Sequence, residues 1–186
     1  PGANRAGSGG RLLPGVEWKL EPAPGISQGA RLVVSGPHVM RGYVSDTGAL
    51  EPPPAGWHDT GDIVRIDADG FCTIIGRLKR FAKIGGETVS LSAVESYAAS
   101  AWPDHIHAAV ALPDARKGER IVLFSDKADA SPSELLAWAH RHGAPEIAVP
   151  KKIVALAAIP VLGTGKIDYA ALQRQAEEGA GAAEAA

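Results

Sequence analysis

The first half of the chain is written in short apolar runs with no sustained helical period. Residues 16–21 and Ala30–Ser35 are strand candidates, the second carrying Leu32, Val33 and Val34 in a row. Between 45 and 56 the pattern lapses. Gly48, Pro52, Pro53, Pro54 and Gly56 predict a loop there, because proline lacks the N–H that a strand ladder needs. Residues 62–67 and 71–76 are β-rich and are separated by Ala68-Asp69-Gly70. An Asp-Gly step tolerates positive φ, so these two runs predict a hairpin. Shorter β-prone pieces follow at Phe81–Ile84 and 87–89.

Beyond residue 80 helical periodicity enters. Ser90 or Ser92 can cap a helix running to about Ser100, with Val94, Tyr97 and Ala98 on one face and Pro103 beyond its end. Residues 105–112 and 120–126 predict strands. Ser131-Pro132-Ser133-Glu134 predicts a helix start, with Ser131 as cap, Pro132 in the first turn and Glu134 at the capping-box position. That helix continues through Leu135, Leu136, Trp138 and Ala139 toward Gly143. Residues 152–158 predict a strand, and Asp168 a cap for a last helix to about Gln175. The Ala/Gly/Glu-rich tail from Glu177 is expected to fray. The fold class expected is therefore α+β: a β-rich first part, then alternating strands and helices, with the change near 77–80. There is no internal repeat.

Composition removes some classes of function. Hydrophobic residues make up 45% and charged residues 22%, enough apolar material for a packed core. A formal net charge of −2 gives no general attraction to nucleic acid or to an anionic membrane. The single cysteine, Cys72, excludes an internal disulfide and a multi-cysteine zinc site, and fits a reducing compartment. The polar, glycine-rich start does not read as a secretory signal, and no apolar run approaches the roughly 20 residues of a spanning helix. A start in loop-like sequence without methionine is expected of a fragment.

Candidate chemistry gathers in four places. Trp57-His58-Asp59-Thr60-Gly61-Asp62 is dense in polar groups, and an ionised Asp62 could accept two hydrogen bonds from the vicinal diol of a ribose. Equally, it could tie a turn together by bonding nearby amides. Gly76-Arg77-Leu78-Lys79-Arg80 sets three cations in four residues, either a hold on a sugar or phosphate or a solvated charge run. The pair Gly85-Gly86 allows either a tight turn or a close approach of backbone to ligand. Gly163-Thr164-Gly165-Lys166 carries one lysine on a mobile-looking loop. An ammonium beside a phosphoryl or carboxylate oxygen stabilises charge that develops in a transition state. That attraction at 4 Å is about 1 kcal/mol in bulk water and about 4 kcal/mol at an intermediate dielectric. The alternative is a surface lysine in a turn. His58, His105, His107, His140 and His142 form no metal-binding spacing, so no metal ligand is expected in this chain. Walker A spacing and a His-x4-Asp acyltransferase motif are absent.

The order of these pieces carries more than any one of them. The colinear series runs from Gly29-Ala30-Arg31-Leu32-Val33-Val34-Ser35-Gly36, Val39 and Gly42-Tyr43 through Gly56-Trp57-His58-Asp59-Thr60-Gly61-Asp62. It continues with Gly70-Phe71, Gly76-Arg77, Lys83-Ile84, Val94-Glu95 and Gly165-Lys166-Ile167-Asp168. It resembles the later motifs of the AMP-binding, adenylate-forming superfamily, over nearly the whole chain to about Leu172. The stretch Arg77-Leu78-Lys79-Arg80-Phe81-Ala82-Lys83-Ile84-Gly85-Gly86-Glu87, with Val149-Pro150 and 160–166, is similar to bacterial acyl–acyl-carrier-protein synthetases. Those enzymes are often fused to a 2-acylglycerophosphoethanolamine acyltransferase.

The resemblance implies a two-step ligase. A fatty acid carboxylate attacks ATP, with Mg2+, to give acyl-AMP and pyrophosphate. A phosphopantetheine thiol of acyl-carrier protein, or CoA, then displaces AMP. It further implies that Asp62 and Arg77 bind the nucleotide ribose and that Lys79 is the hinge, at a position where many members have Asp. Gly85 and Gly86 would border the thiol channel, and Lys166 would be catalytic in adenylation. Residues 1–78 would be the end of the large domain, 79–176 a C-terminal lid and 177–186 a flexible tail. The phosphate loop, the magnesium ligands and most of the acyl pocket would lie in a missing N-terminal part of the same polypeptide, leaving this chain inactive alone. The implied location is cytoplasmic, with the parent at the inner face of the membrane by family analogy. An acyl-CoA synthetase and a non-catalytic carrier-protein-binding module are the competing expectations.

Overall fold

The computed structural model describes residues 5–184, with side chains to residue 180. The chain divides into two compact units, Pro1–Lys79 and Arg80–Ala186.

Unit 1 is built on a four-stranded antiparallel sheet, in the order β1 (Glu17–Glu21), β2 (Ala30–Ser35), β5 (His58–Ile66) and β6 (Cys72–Arg77). A two-residue ladder pairs β3 (Tyr43–Val44) with β4 (Leu50–Glu51), inside the stretch where a loop was expected. Leu32, Val64 and Cys72 form the small core, with Val34 and Ile66 packed against it. Strand β5 starts four residues before the run predicted from residue 62, and so absorbs the polar segment 58–61. Two register irregularities make this possible, one opposite Arg31/Val33 and one at Ile63/Val64. Such bulges redirect side chains without ending the strand.

The β5–β6 turn is the hairpin expected at Ala68-Asp69-Gly70. Gly70 adopts φ +82° and donates its N–H to the Asp67 carbonyl at 2.9 Å. Asp67 organises the turn, because its Oδ1 accepts the amides of Asp69 and Phe71, each at 3.0 Å. Those bonds favour the anion. Led by the Phe71 amide, they hold the Asp67 carboxyl below the usual carboxylate range.

Unit 2 is a five-stranded mixed sheet carrying three helices. Strand β10 (Gly118–Ser125) runs antiparallel to β9 (His107–Asp114) along its full length and parallel to β11 (Lys152–Ala155) from Val122 onward. It meets β7 (Phe81–Ile84) at Gly118, and β7 pairs with β8 (Glu87–Ser90). Helices α1 (Leu91–Ala101) and α2 (Pro132–His142) cover one face: Val94, Ala98 and Leu135 share a core with Ala109, Ile121 and Leu123. Helix α3 (Tyr169–Glu184) covers the other, where Leu172 and Ala176 meet Ala108, Val110, Leu112, Val122 and Phe124. Alternate residues of β9 and β10 therefore serve opposite cores, which explains why both strands read as nearly continuous apolar runs.

Local signals set the helix ends. Ser90, not Ser92, caps α1 by accepting the Ala93 amide at 3.3 Å. Ser131 caps α2 through Glu134, and Gly143 closes that helix in the left-handed conformation at φ +69°. Asp168 caps α3 by accepting the Ala171 amide at 2.9 Å. One expectation is corrected here. The segment expected to fray from Glu177 continues α3 to Glu184. Leu172 and Ala176 are buried and Ala180 half-buried at a spacing of four, so a single stripe docks α3 on the sheet as far as Ala180. Residues 185 and 186 lie outside the described residues.

Candidate active site

In unit 1, Asp62 and Arg77 are register partners across β5 and β6. Arg77 Nε lies 2.8 Å from Asp62 Oδ1, and Arg77 Nη1 donates to the Thr60 carbonyl at 3.1 Å. The carboxylate is mostly sheltered, with 18% of the Asp62 side chain exposed against 63% for Arg77. The turn-tying role considered for Asp62 belongs instead to Asp59. Asp59 Oδ1 accepts the Gly61 amide at 2.9 Å, and its Oδ2 accepts from Arg31 Nη1 at 3.0 Å. Gly61 takes φ +70°, which suits a residue without Cβ, and its carbonyl accepts the Leu78 amide at 2.7 Å. Thr60 supports Asp62 from below: its hydroxyl donates to the Leu32 carbonyl at 2.9 Å and accepts the Asp62 amide at 3.1 Å. Asp62 thus presents an anion on an anchored strand beside a partly free guanidinium, a combination suited to a neutral polyol next to a phosphate.

Lys79 is exposed, in the turn after β6, at the last position of unit 1.

In unit 2, Gly85 and Gly86 form the two-residue connection between β7 and β8, with Ile84 paired to Glu87. Their φ values are +58° and +89°, so this hairpin requires left-handed residues at both centres. A Cβ at either would meet nothing within 4 Å, so backbone conformation is what selects glycine, not crowding. Both residues are exposed.

Lys166 sits on a hydrogen-bonded turn. An antiparallel bridge joins Val161 to Ile167. The Leu162 amide donates to the Lys166 carbonyl at 2.7 Å, the Gly165 amide to the Leu162 carbonyl at 2.8 Å, and the Asp168 amide to the Pro160 carbonyl at 2.9 Å. Gly165 supplies φ +80°. The lysine side chain is exposed and has no ion pair among the described residues, so its charge is available to a ligand.

Sequence reasoning missed a polar cluster in unit 2. Glu95 Oε1 accepts from Arg80 Nη2 at 2.7 Å, from the Ala109 amide at 2.8 Å and from the Tyr169 hydroxyl at 3.1 Å. The Arg80 guanidinium also stacks 3.7 Å from the centre of the Tyr169 ring. Burial, with the charge of Glu95, pushes the Tyr169 hydroxyl pKa up, so the phenol stays protonated and donates. Arg80 stands in the cation run and Glu95 in the motif series, but nothing in the local sequence joins them to Tyr169, because Tyr169 and Glu95 lie 74 positions apart. A separate cleft of about 640 Å³ is lined by Arg116, Lys117, Arg120, Lys151 and Lys152 together with Asp114, Glu119 and Glu146. Among the described residues no three His, Cys, Asp or Glu side chains cluster as metal ligands would.

No protein-family model matches the chain. Curated proteins and solved structures do. Over 157 residues it is 35% identical to 2-hydroxy-7-methoxy-5-methyl-1-naphthoate–CoA ligase of Streptomyces carzinostaticus, covering 82% of this chain and 28% of that enzyme. It is 34% identical over 173 residues to salicyl-AMP ligase/salicyl-S-ArCP synthetase of Mycobacterium tuberculosis, covering 88% of this chain and 30% of the relative. Among structures, the amide bond synthetase McbA of Marinactinospora thermotolerans superposes with a TM-score of 0.72 at 28% identity, over 91% of this chain and 36% of that one. These relatives are AMP-forming ligases and their kin, and the α+β fold matches the C-terminal domain of adenylate-forming enzymes. The chain spans under a third of the length of the curated relatives it matches.

Proposed function

We propose that this chain is the C-terminal part of an ATP-dependent acid–thiol ligase. The observation that carries the reading is the Asp62–Arg77 pair, a sheltered carboxylate beside an exposed guanidinium, in a chain whose relatives make acyl adenylates and thioesters. In this reading the ribose hydroxyls of ATP donate to Asp62, while Arg77 steadies the carboxylate and the sugar. Lys166 approaches the substrate carboxylate and the α-phosphate. As the carboxylate oxygen attacks phosphorus and pyrophosphate leaves, negative charge builds on the phosphoryl oxygens, and an ammonium held there lowers the barrier. Lys79 is the hinge between residues 1–78, ending the large domain, and a lid over 79–176. Gly85 and Gly86 border the path of the thiol.

Magnesium would assist adenylation, but the residues present do not fit it, since no ligand cluster occurs among the described ones.

The finer reading is a fatty acid as substrate and acyl-carrier protein as acceptor, in the cytoplasm or at the inner face of the membrane. It rests on the similarity of 77–87 and 160–166 to acyl–acyl-carrier-protein synthetases. A second reading, an aromatic acid with CoA, is favoured by the relatives, one named a naphthoate–CoA ligase. The basic cleft at Arg116, Lys117, Arg120, Lys151 and Lys152 would suit either acceptor, because both carry phosphate.

The test uses the longer polypeptide that contains this chain. ATP–pyrophosphate exchange is measured with fatty and aromatic acids, and thioester formation with CoA and with holo-carrier protein. Exchange by the wild type and its loss in Lys166→Ala are expected, with no exchange by residues 1–186 alone. Wild-type exchange in Lys166→Ala would refute the assignment of the lysine, and exchange by the isolated chain would refute the division of the active site. A preference for aromatic acids with CoA would replace the finer reading.

A further inference from the structure

We infer that Arg80, Glu95 and Tyr169 form a clamp that positions the Lys166 turn, tying it to the point where the chain enters unit 2. The inference rests on the adenylation role assigned to Lys166.

The hydrogen bonds within 160–168 shape the turn but fasten it only to itself. On one side of the turn Ile159 is buried in the core beneath α3, and on the other Ile167 and Tyr169 pack against that core; only Tyr169 adds directional polar bonds to the body of unit 2. Tyr169 is the first residue of α3, three positions after Lys166. Its hydroxyl reaches Glu95 on α1, and its ring lies under the guanidinium of Arg80. Arg80 in turn donates to the Ala109 carbonyl at 3.2 Å, while Glu95 accepts the Ala109 amide. Three segments remote in sequence therefore converge on one tyrosine: the residue that follows the hinge position Lys79, helix α1 and strand β9.

Chemistry argues for a positioning role. Arg80 and Glu95 are each only 17% exposed, and a buried ion pair contributes little that well-packed apolar side chains would not. Directional bonds do what apolar packing cannot: they fix the tyrosine in one place and one rotation. A group that must meet a reacting phosphorus needs that precision, since a displacement of about 1 Å can cost on the order of a hundredfold in rate.

The experiment uses Tyr169→Phe, Tyr169→Leu and Glu95→Gln in the longer polypeptide, with Lys166→Ala as control. Tyr169→Phe keeps the ring and loses the bond to Glu95; Tyr169→Leu loses both. Measured quantities are kcat and KM for ATP in pyrophosphate exchange, thioester formation from preformed acyl-adenylate, and thermal unfolding. In the chain itself, hydrogen exchange at the Leu162 and Gly165 amides is followed. Exchange kcat should fall roughly tenfold in Tyr169→Phe and on the order of a hundredfold in Tyr169→Leu. KM for ATP and thioester formation should stay unchanged, and the two amides should exchange faster while those of α2 do not. Glu95→Gln should resemble Tyr169→Phe. A folded Tyr169→Leu with wild-type kcat overturns the clamp, as does an equal loss in both half-reactions. If Tyr169→Leu does not fold, Tyr169→Phe and Glu95→Gln decide. If Lys166→Ala retains exchange, the underlying reading fails; if it is inactive while the Tyr169 variants are normal, only the clamp fails.

Discussion

On the nucleotide-binding role proposed for Asp62, its replacement by asparagine should separate binding from stability. Arg77 Nε bonds Asp62 Oδ1 at 2.8 Å, but the arginine is 63% exposed, so solvent screens the pair and it contributes about 0–1 kcal/mol to folding. Thermal unfolding should therefore move little. Binding should move more. Asparagine retains one acceptor oxygen and turns a donor toward either Arg77 or the ligand, so at least one charge-assisted hydrogen bond to the ribose is lost. Such a bond is worth about 1.5–3 kcal/mol, or roughly ten- to a hundredfold in affinity. Asp59→Asn is the matched control three residues away. Both oxygens of Asp59 are already committed, to the Gly61 amide and to Arg31, so this change should disturb the turn and leave nucleotide affinity intact. The assay is calorimetric titration of AMP into the longer polypeptide, with ATP KM in parallel. Wild-type affinity in Asp62→Asn, or an equal loss in Asp59→Asn, would refute the assignment.

Three further outcomes test the fold. Leu172, on the buried face of α3, is fully buried, so Leu172→Ala should cost about 2–5 kcal/mol and lower the unfolding midpoint of unit 2 in a calorimetric scan. A change below about 1 kcal/mol would mean that α3 is not docked as described. His107 is buried, bonds the Trp102 carbonyl through Nε2 at 3.3 Å, and leaves Nδ1 buried without a partner. Burial depresses its pKa, so the unfolded state binds the extra proton first. Its contribution is complete above the unfolded value of about 6.5 and is lost as pH falls toward the lower folded value. Unfolding midpoints from pH 7.5 to 5.5 should consequently fall less steeply in His107→Gln than in the wild type, and parallel slopes would contradict this. Ser131→Ala removes the cap on the Glu134 amide and should cost about 1 kcal/mol by denaturant titration, with Ser133→Ala close to neutral.

Much of the secondary structure was legible because its causes are local. Ser131-Pro132 and Asp168 start helices by accepting amides a few residues on, and Asp-Gly makes its turn whatever surrounds it. Where local signals failed, a partner strand or face supplied the reason. The early start of β5 depends on bulges fitted against β2 and β6. Helix α3 runs on past Gln175 where Leu172, Ala176 and Ala180 find an apolar sheet face, a partner that the composition of the segment does not announce.

The candidate site divides in the same way. By its order of motifs the sequence alone singled out Asp62, Arg77, Lys79, Gly85, Gly86 and Lys166. Residue type left Gly85-Gly86 open between a tight turn and a close backbone approach, and the structure makes it the left-handed β7–β8 turn. The tertiary structure decided which carboxylate ties the 58–62 turn and which pairs with Arg77 instead, because that depends on which groups β2 and β6 bring within reach of Asp59 and Asp62. It alone joined Arg80, Glu95 and Tyr169. Hydrogen bonds act over about 3 Å, and folding brings to that distance residues 74 positions apart, a relation that no local pattern encodes.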